Sequence, residues 1–223
     1  MAPVGLGGAP READDYEWVR LADLPDDEDD GAAGDGGPDG EAAWESLGEA
    51  MRAWLDRNPL WAEGAGARVL LADLDNLRAE PARWRARMAV VVHLARQADA
   101  AALAGQHAAV ERARPHLAEL AGTAVGVPDG SDLADHALLD AAAAVRAEVG
   151  PTQVVVLSND GIFADLAADG PLTVLSPGAD ALSDGLAAAA RRVVDLAALE
   201  TAAGTLVAPG AGRAAAPAVR RRR

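Results

Sequence analysis

Residues 154–167 read VVVLSNDGIFADLA, an aliphatic run that ends in Ser158, Asn159 and Asp160. Residues 68–77 read RVLLADLDNL and change in the same way, because the aliphatic run there reaches Asp73 and then Asp75. Unbroken aliphatic runs are typical of strands that are buried on both faces of a parallel sheet. Hydrophobic packing does not explain a carboxylate at the end of such a strand. Both segments therefore predict strands that end at a functional site.

Segments with strand and helix patterns alternate through the rest of the central region. This alternation favours an α/β fold with a central parallel sheet that helices cover on both faces. The predicted strands after RVLLADL are TAVGV, QVVVLS and LTVLS, and the last predicted helix is DALSDGLAAAARRVVDLAAL. The alanines of DAAALAG leave that segment open between a strand and a helix.

Composition and charge divide the chain into four parts. Residues 1–40 are predicted to be a disordered acidic tail, residues 41–66 an N-terminal helix and linker, residues 67–202 the folded domain, and residues 203–223 a flexible tail that ends in four arginines. Between Arg11 and Glu41 there are 13 acidic and 2 basic residues. The acidic tail either is simply solvated or docks on a protein partner.

Several function classes are excluded by residues that the chain lacks. It has no cysteine, so thiol nucleophiles and cysteine-bound zinc are excluded. All 20 basic residues are arginine, which excludes the lysine of a phosphate-binding loop and Schiff-base chemistry. No secretory signal or membrane span is recognised, so we expect a cytoplasmic protein without a membrane partner.

Carboxylates from three separate segments are expected to meet at one edge of the sheet. Ligands of open parallel sheets bind beyond the carboxyl ends of the strands, where Asp73, Asp75 and Asp160 are expected. Asp132 and Asp135 in GSDLADHALLD would share one face at the start of a helix. Carboxylates that are brought together repel one another, and Mg²⁺ or Mn²⁺ relieves the repulsion. Each aspartate alone is also typical of a turn or a helix cap, so the metal site is predicted from the set.

Three of these segments together resemble the NYN domain, a branch of the PIN-like nucleases, over residues 67–199. The first family motif is an apolar strand that ends in Asp-x-x-Asn, the second is an aspartate followed three residues later by leucine, and the third is Ser-Gly-Asp-Ser-Asp-Phe. The matching residues are Asp73 and Asn76, then Asp135 and Leu138, and finally Ser158, Asp160 and Phe163. Two positions depart from the third motif, because Asn159 replaces its glycine and Ile162 replaces its second aspartate.

The resemblance implies a PIN-like three-layer sandwich whose five parallel strands lie in the order 3-2-1-4-5. It also implies Mg²⁺- or Mn²⁺-dependent endonucleolytic cleavage of RNA, with Asp73, Asp135 and Asp160 as the catalytic, metal-binding residues. Asp75 or Asp132 would supply the charge that Ile162 removes; otherwise the metal site is weakened.

Polar and basic residues beside the motifs are the predicted substrate contacts. They are Asn76, Ser158, Asn159, Arg78 and Arg83. The arginines at positions 78, 83, 85 and 87 follow the first motif closely, and they either meet RNA phosphates or form a solvated face.

Two other functions stay open at the level of sequence. DLDNL also matches part of the Asp-x-Asp motif of haloacid-dehalogenase-type phosphatases, although that chemistry usually needs a lysine. A catalytically silent PIN-like module that binds RNA or a protein is the second alternative, favoured by Ile162 and by the acidic composition. A homodimer stays open, because the residues do not determine the oligomeric state.

Overall fold

The computed structural model shows an α/β fold and describes residues 19–20, 38–117, 120, 123–130, 132–207 and 219–221. The strands are β1 (Val19–Arg20), β2 (Ala67–Asp73), β3 (Ala100–Gln106), β4 (Ala124–Val127), β5 (Thr152–Leu157), β6 (Leu172–Ser176), β7 (Arg192–Asp195) and β8 (Val219–Arg221). The helices are α1 (Pro38–Arg57), α2 (Pro81–Ala95), α3 (His107–Leu117), α4 (Leu133–Val149), α5 (Asp184–Ala189) and α6 (Leu196–Val207), with 3-10 helices at Gly161–Ala168 and Ala179–Ala181.

The strands form one sheet in the order β1-β4-β3-β2-β5-β6-β7-β8. The six strands from β4 to β7 are parallel, and β1 and β8 pair antiparallel with the two edges. The open segment DAAALAG contributes to strand β3, which pairs with β2 and β4. A parallel α/β fold is thus confirmed.

The predicted order 3-2-1-4-5 covers five parallel strands, and the observed order differs because the parallel sheet continues into a sixth strand beyond the fifth. Strand β7 pairs with β6 inside the segment that was predicted to be one helix, DALSDGLAAAARRVVDLAAL. The helical part at its start ends at Ala189, and the following RVVD carries two adjacent β-branched residues, which favour a strand. Val194 is 1% exposed in the core, so burial stabilises the extended backbone there.

Helices cover both faces of the sheet, and strand β2 shows how the two layers are built. Its side chains alternate, so Leu70 and Ala72 enter one apolar core while Val69 and Leu71 enter the other. Helices α1, α2, α3 and α6 contribute to the first core, and α4, α5 and the 3-10 helix Gly161–Ala168 contribute to the second.

The two predicted tails lie mostly outside the described residues. Within residues 1–40 the structure describes β1 and the start of α1 at Pro38, and within residues 203–223 it describes the end of α6 and strand β8. No helix in the described ranges has both the length and the apolar character needed to cross a bilayer.

Strand β2 lies at the centre of the parallel sheet, and this position creates the site. Asp73 lies beside Ala104 of β3, and the preceding Ala72 lies beside Leu157 of β5. The residues that follow β2, β3 and β5 therefore meet at one edge of the sheet.

Candidate functional site

Asp73 ends β2 with a side chain that is held by four hydrogen bonds. Its Oδ1 accepts from the backbone N–H groups of Asp75, at 3.0 Å, and Asn76, at 3.2 Å. Its Oδ2 accepts from the Asn76 side-chain amide and from the Ser158 hydroxyl, the latter at 3.2 Å. Burial raises the pKa of Asp73, the bonds from Asn76 oppose that change, and the charge of Asp75 adds to it. The carboxylate is therefore fixed in one orientation.

Asp75 is bonded at both oxygens. Its Oδ1 accepts from Nη2 of Arg78 at 2.8 Å, and its Oδ2 accepts from the backbone N–H of Gln106 at 2.7 Å. The Gln106 bond connects the loop after β2 to the end of β3. Asp75 therefore organises the loop and positions Arg78, whose side chain is 60% exposed.

Ser158 and Asp160 bring the third segment to the same place. The Ser158 hydroxyl is buried, and it donates to Asp73 and accepts the Asp160 backbone N–H at 3.2 Å. Asp160 is exposed and its Oδ1 accepts from the Ile162 backbone N–H at 3.0 Å, which caps the 3-10 helix Gly161–Ala168. One serine therefore connects the ends of β2 and β5.

Helix α4 supplies two more carboxylates at its first turn. Asp132 is exposed at the N-cap position, makes no capping side-chain bond among the described residues, and has a left-handed backbone with φ 63°. Aspartate tolerates that conformation better than most residues do, and such conformations concentrate at functional sites. Asp135 is only 8% exposed, and its Oδ1 has no hydrogen-bond partner in the part of the chain that the structure describes.

Asp135 lies within electrostatic range of four other carboxylates. Burial raises its pKa, and the charges of Asp73, Asp160, Asp132 and Asp75 add to the effect in that order, so that the pKa reaches about 7. We call these five residues the carboxylate cluster. Its members other than Asp160 border an open pocket of about 210 Å³, the acidic pocket. The side chains that line the acidic pocket include Asp73, Asp75, Asn76, Arg78, Gln106, Asp132 and Asp135.

The donor set suits a hard divalent cation, but it is not a finished ligand cage. No three His, Asp or Glu side chains in the described ranges are arranged to hold one ion as they stand. The unpartnered Oδ1 of Asp135 is nevertheless an oxygen donor that a cation would satisfy, and oxygen donors are the ligands that Mg²⁺ and Mn²⁺ prefer. A carboxyl with a pKa of about 7 also exchanges its proton near neutral pH, as a general acid or base does.

Two of the predicted substrate contacts are bonded elsewhere in the fold. The Asn159 side chain accepts from the Ser176 hydroxyl at 2.6 Å and donates to the Gly178 carbonyl at 3.3 Å, so it fastens the loop after β5 to the loop after β6. The Nε of Arg83 lies 3.9 Å from Oε2 of Glu200 in α6, within ion-pair distance. In contrast, Asn76, Ser158 and Arg78 lie at the cluster.

Two further residues near the carboxyl ends of the strands have roles that the sequence analysis does not predict. Gln106 joins Asp75 through its backbone, and its side chain accepts from Arg78 at 3.4 Å. Arg87 was grouped with the phosphate-binding arginines, but it is 5% exposed and paired with Glu200 at 2.5 Å. Gln106 is the polar residue that ends β3, so it would be indicated once DAAALAG is assigned to a strand. Arg87 lies three residues after Trp84 and four before Val91, and this helical spacing would indicate that it faces the core.

No protein-family model matches the chain, and no curated protein has a significantly similar sequence.

Proposed function

We propose that the chain is a Mg²⁺- or Mn²⁺-dependent endoribonuclease, related to the NYN branch of the PIN-like nucleases. The observation that carries the proposal is the buried, unpartnered carboxylate oxygen of Asp135 among four other carboxylates. Such a cluster destabilises the fold unless a proton or a cation compensates its charge. A bound divalent cation would compensate this charge.

Asp73, Asp135 and Asp160 would hold the ion, with Asp132 as the fourth carboxylate. A bound divalent ion stabilises the charge that develops on a phosphodiester and activates a water molecule. The protein contributes orientation, because Asn76 and Ser158 fix the Asp73 carboxylate. Asp75 is already bonded to Arg78 and Gln106, so its part is to position the loop.

The decisive experiment is an RNA cleavage assay with Mn²⁺ on the full chain and on Asp73→Asn, Asp135→Asn and Asp160→Asn. We expect each change to slow cleavage by about 100-fold or more, because even residues that only support a metal ligand are worth up to that factor. Asp140→Asn is the matched control, since Asp140 is an exposed aspartate farther along the same helix as Asp135. The control should cleave at the wild-type rate.

Equal low activity in all variants would contradict the proposal and indicate a contaminating nuclease. That outcome would favour the second candidate, a silent module that binds RNA without cutting it. The specific support for this candidate is that Ile162 stands where the resemblance expects an aspartate, while Asp75 is fully bonded. It predicts RNA binding that is unchanged by Mn²⁺.

The phosphatase alternative has less support. It makes Asp73 a nucleophile, and that chemistry usually needs a lysine, which the chain lacks. Trapping an aspartyl-phosphate on Asp73 would reverse this ranking.

A further inference from the structure

A second open pocket shares the lining residue Arg78 with the acidic pocket. It has a volume of about 210 Å³, and we call it the Trp84 pocket. Its lining residues are Leu74, Arg78, Trp84, Ala108, Ala109 and Arg112. Because Arg78 borders both pockets, a ligand in one would lie next to a ligand in the other.

Arg112 is held in place above the Trp84 pocket. Its guanidinium lies 4.6 Å from the centroid of the Trp84 ring, within the range of a cation–π interaction. Its Nη2 also donates to the carbonyl of Ala79 at 3.1 Å, in the loop that follows β2. An exposed arginine that is fixed in this way loses less conformational entropy when it binds an anion.

The surroundings of the Trp84 pocket carry positive charge. Burial lowers the pKa of His116, and the charges of Arg85 and Arg112 lower it further. Ala108 and Ala109 belong to the first turn of α3, where the helix dipole is positive. In addition, Trp84 is 3% exposed and its indole N–H lacks a hydrogen-bond partner among the described residues.

We propose that the Trp84 pocket binds a backbone phosphate of single-stranded RNA, through Arg112 and Arg78, when a neighbouring phosphodiester occupies the carboxylate cluster. The proposal rests on the proposed nuclease function and extends it. An acidic site repels a polyanion, so a cationic pocket next to it would supply the attraction that the cluster lacks. Arg78 is partly neutralised by Asp75, which leaves Arg112 as the principal phosphate ligand.

The test measures RNA binding without cleavage. The full chain is titrated against a fluorescent oligouridylate in EDTA, at several salt concentrations between about 50 and 200 mM. Arg112→Gln should weaken binding about tenfold and reduce the slope of log affinity against log salt by about 0.7, the amount for one lost phosphate contact. Arg112→Lys keeps the charge and should keep the wild-type slope.

Arg57→Gln is the matched control. Arg57 is an exposed arginine in the last turn of α1, next to Pro59, whose carbonyl accepts from Arg192 at the start of β7. It therefore lies near the amino-terminal ends of the strands, whereas the Trp84 pocket lies near their carboxyl ends. Its loss should change neither the RNA affinity nor the salt dependence of that affinity. Equal effects of Arg112→Gln and Arg57→Gln would overturn the proposal. So would displacement of the RNA by inorganic phosphate at an equal phosphate concentration, because the pocket would then be a free-anion site.

The two proposals fail in different ways. If Arg112→Gln weakens binding but the wild type does not cleave RNA in Mn²⁺, the phosphate pocket stands and the nuclease fails. If the wild type cleaves RNA and Arg112→Gln neither binds more weakly nor cleaves more slowly, the pocket fails and the nuclease stands.

Discussion

Asp135 is the residue whose ionisation is most strongly opposed by burial and by the other members of the carboxylate cluster. The pKa of its carboxyl is raised from 3.8 to about 7, first by burial and then by the four neighbouring carboxylates. The folded protein therefore binds a proton that the unfolded chain releases between about pH 4 and pH 7. Because the unfolded state binds fewer protons in this window, stability falls as the pH rises through it.

Replacing Asp135 should remove this pH dependence. Without metal ions, we expect Asp135→Asn to gain stability relative to the wild type as the pH rises from about 4 to about 7, by about 1 kcal/mol or more. Urea unfolding in EDTA at both ends of the window measures the difference. Asp140→Asn, on the same helix, should show no such change with pH. A constant difference between Asp135→Asn and wild type at every pH would contradict the raised pKa.

The sequence predicts the members of the carboxylate cluster better than their roles. Strand-end position and helical spacing are local patterns, and they identify Asp73, Asp160, Asp132 and Asp135. The role of Asp75 depends on the backbone of Gln106, 31 residues away, and only the folded register brings those two groups together. The sequence predicts Asn159 as a substrate contact, whereas its side chain bonds to Ser176 and to the carbonyl of Gly178.

At the scale of elements, one buried ion pair fastens the site to the helical layer. Arg87 of α2 pairs with Glu200 of α6 and donates to the carbonyls of Leu77 and Arg78 in the loop after β2. It also donates to the carbonyl of Pro177, after β6. The guanidinium thus joins two helices and two loops at the carboxyl edge of the sheet.

Breaking this pair should cost far more than breaking its exposed counterpart. We expect Arg87→Gln to lower the free energy of unfolding by about 3 to 5 kcal/mol, because the buried Glu200 loses its partner. Arg83→Gln is the matched control: Arg83 reaches the same Glu200 at 3.9 Å but is 58% exposed, so its loss should cost about 1 kcal/mol or less. Chemical denaturation of both variants compares them. Similar losses would show that burial does not set the strength of the pair.

The sequence predicts the strands with a clear aliphatic pattern, the short β4 included, but not the alanine-rich β3 or the helix-flanked β7. The runs that became β2, β5 and β6 each carry several buried aliphatic residues. The alanines of β3 fit a helix equally well, and only pairing with β2 and β4 selects the strand. Strand β7 has four residues between two helices, so the sequence pattern predicts one continuous helix there.

At the scale of the whole molecule, the negative net charge repels the proposed RNA substrate. The formal net charge is −15, and residues 1–37 hold 11 acidic and 2 basic residues. Strand β1 joins this segment to the edge of the sheet at β4, beyond β3. Of residues 1–37 the structure describes Val19–Arg20 alone, and this strand pairs with the edge of the sheet next to β3, which ends at Gln106.

Removing the charge of this segment should raise RNA affinity. We expect the chain without residues 1–37 to bind the oligouridylate more tightly than the full chain, with the gain retained at about 0.15 M salt. At that ionic strength charges are screened beyond about 8 Å. A gain in affinity that persists there therefore requires acidic residues close to the proposed RNA site. Fluorescence anisotropy in EDTA measures the affinity of both chains.

A second variant separates charge from the loss of strand β1. Changing the acidic residues at positions 26–30 to Asn or Gln keeps Val19–Arg20, which pair with Val125 and Gly126 of β4. If the acidic residues compete with RNA for Arg78 and Arg112, the variant with neutral residues at positions 26–30 should reproduce most of the gain in RNA affinity seen on truncation. If only the truncated chain gains affinity, the edge strand rather than the charge limits access. A gain that vanishes at about 0.15 M salt in both variants would show that the segment acts only through the long-range field of the molecule.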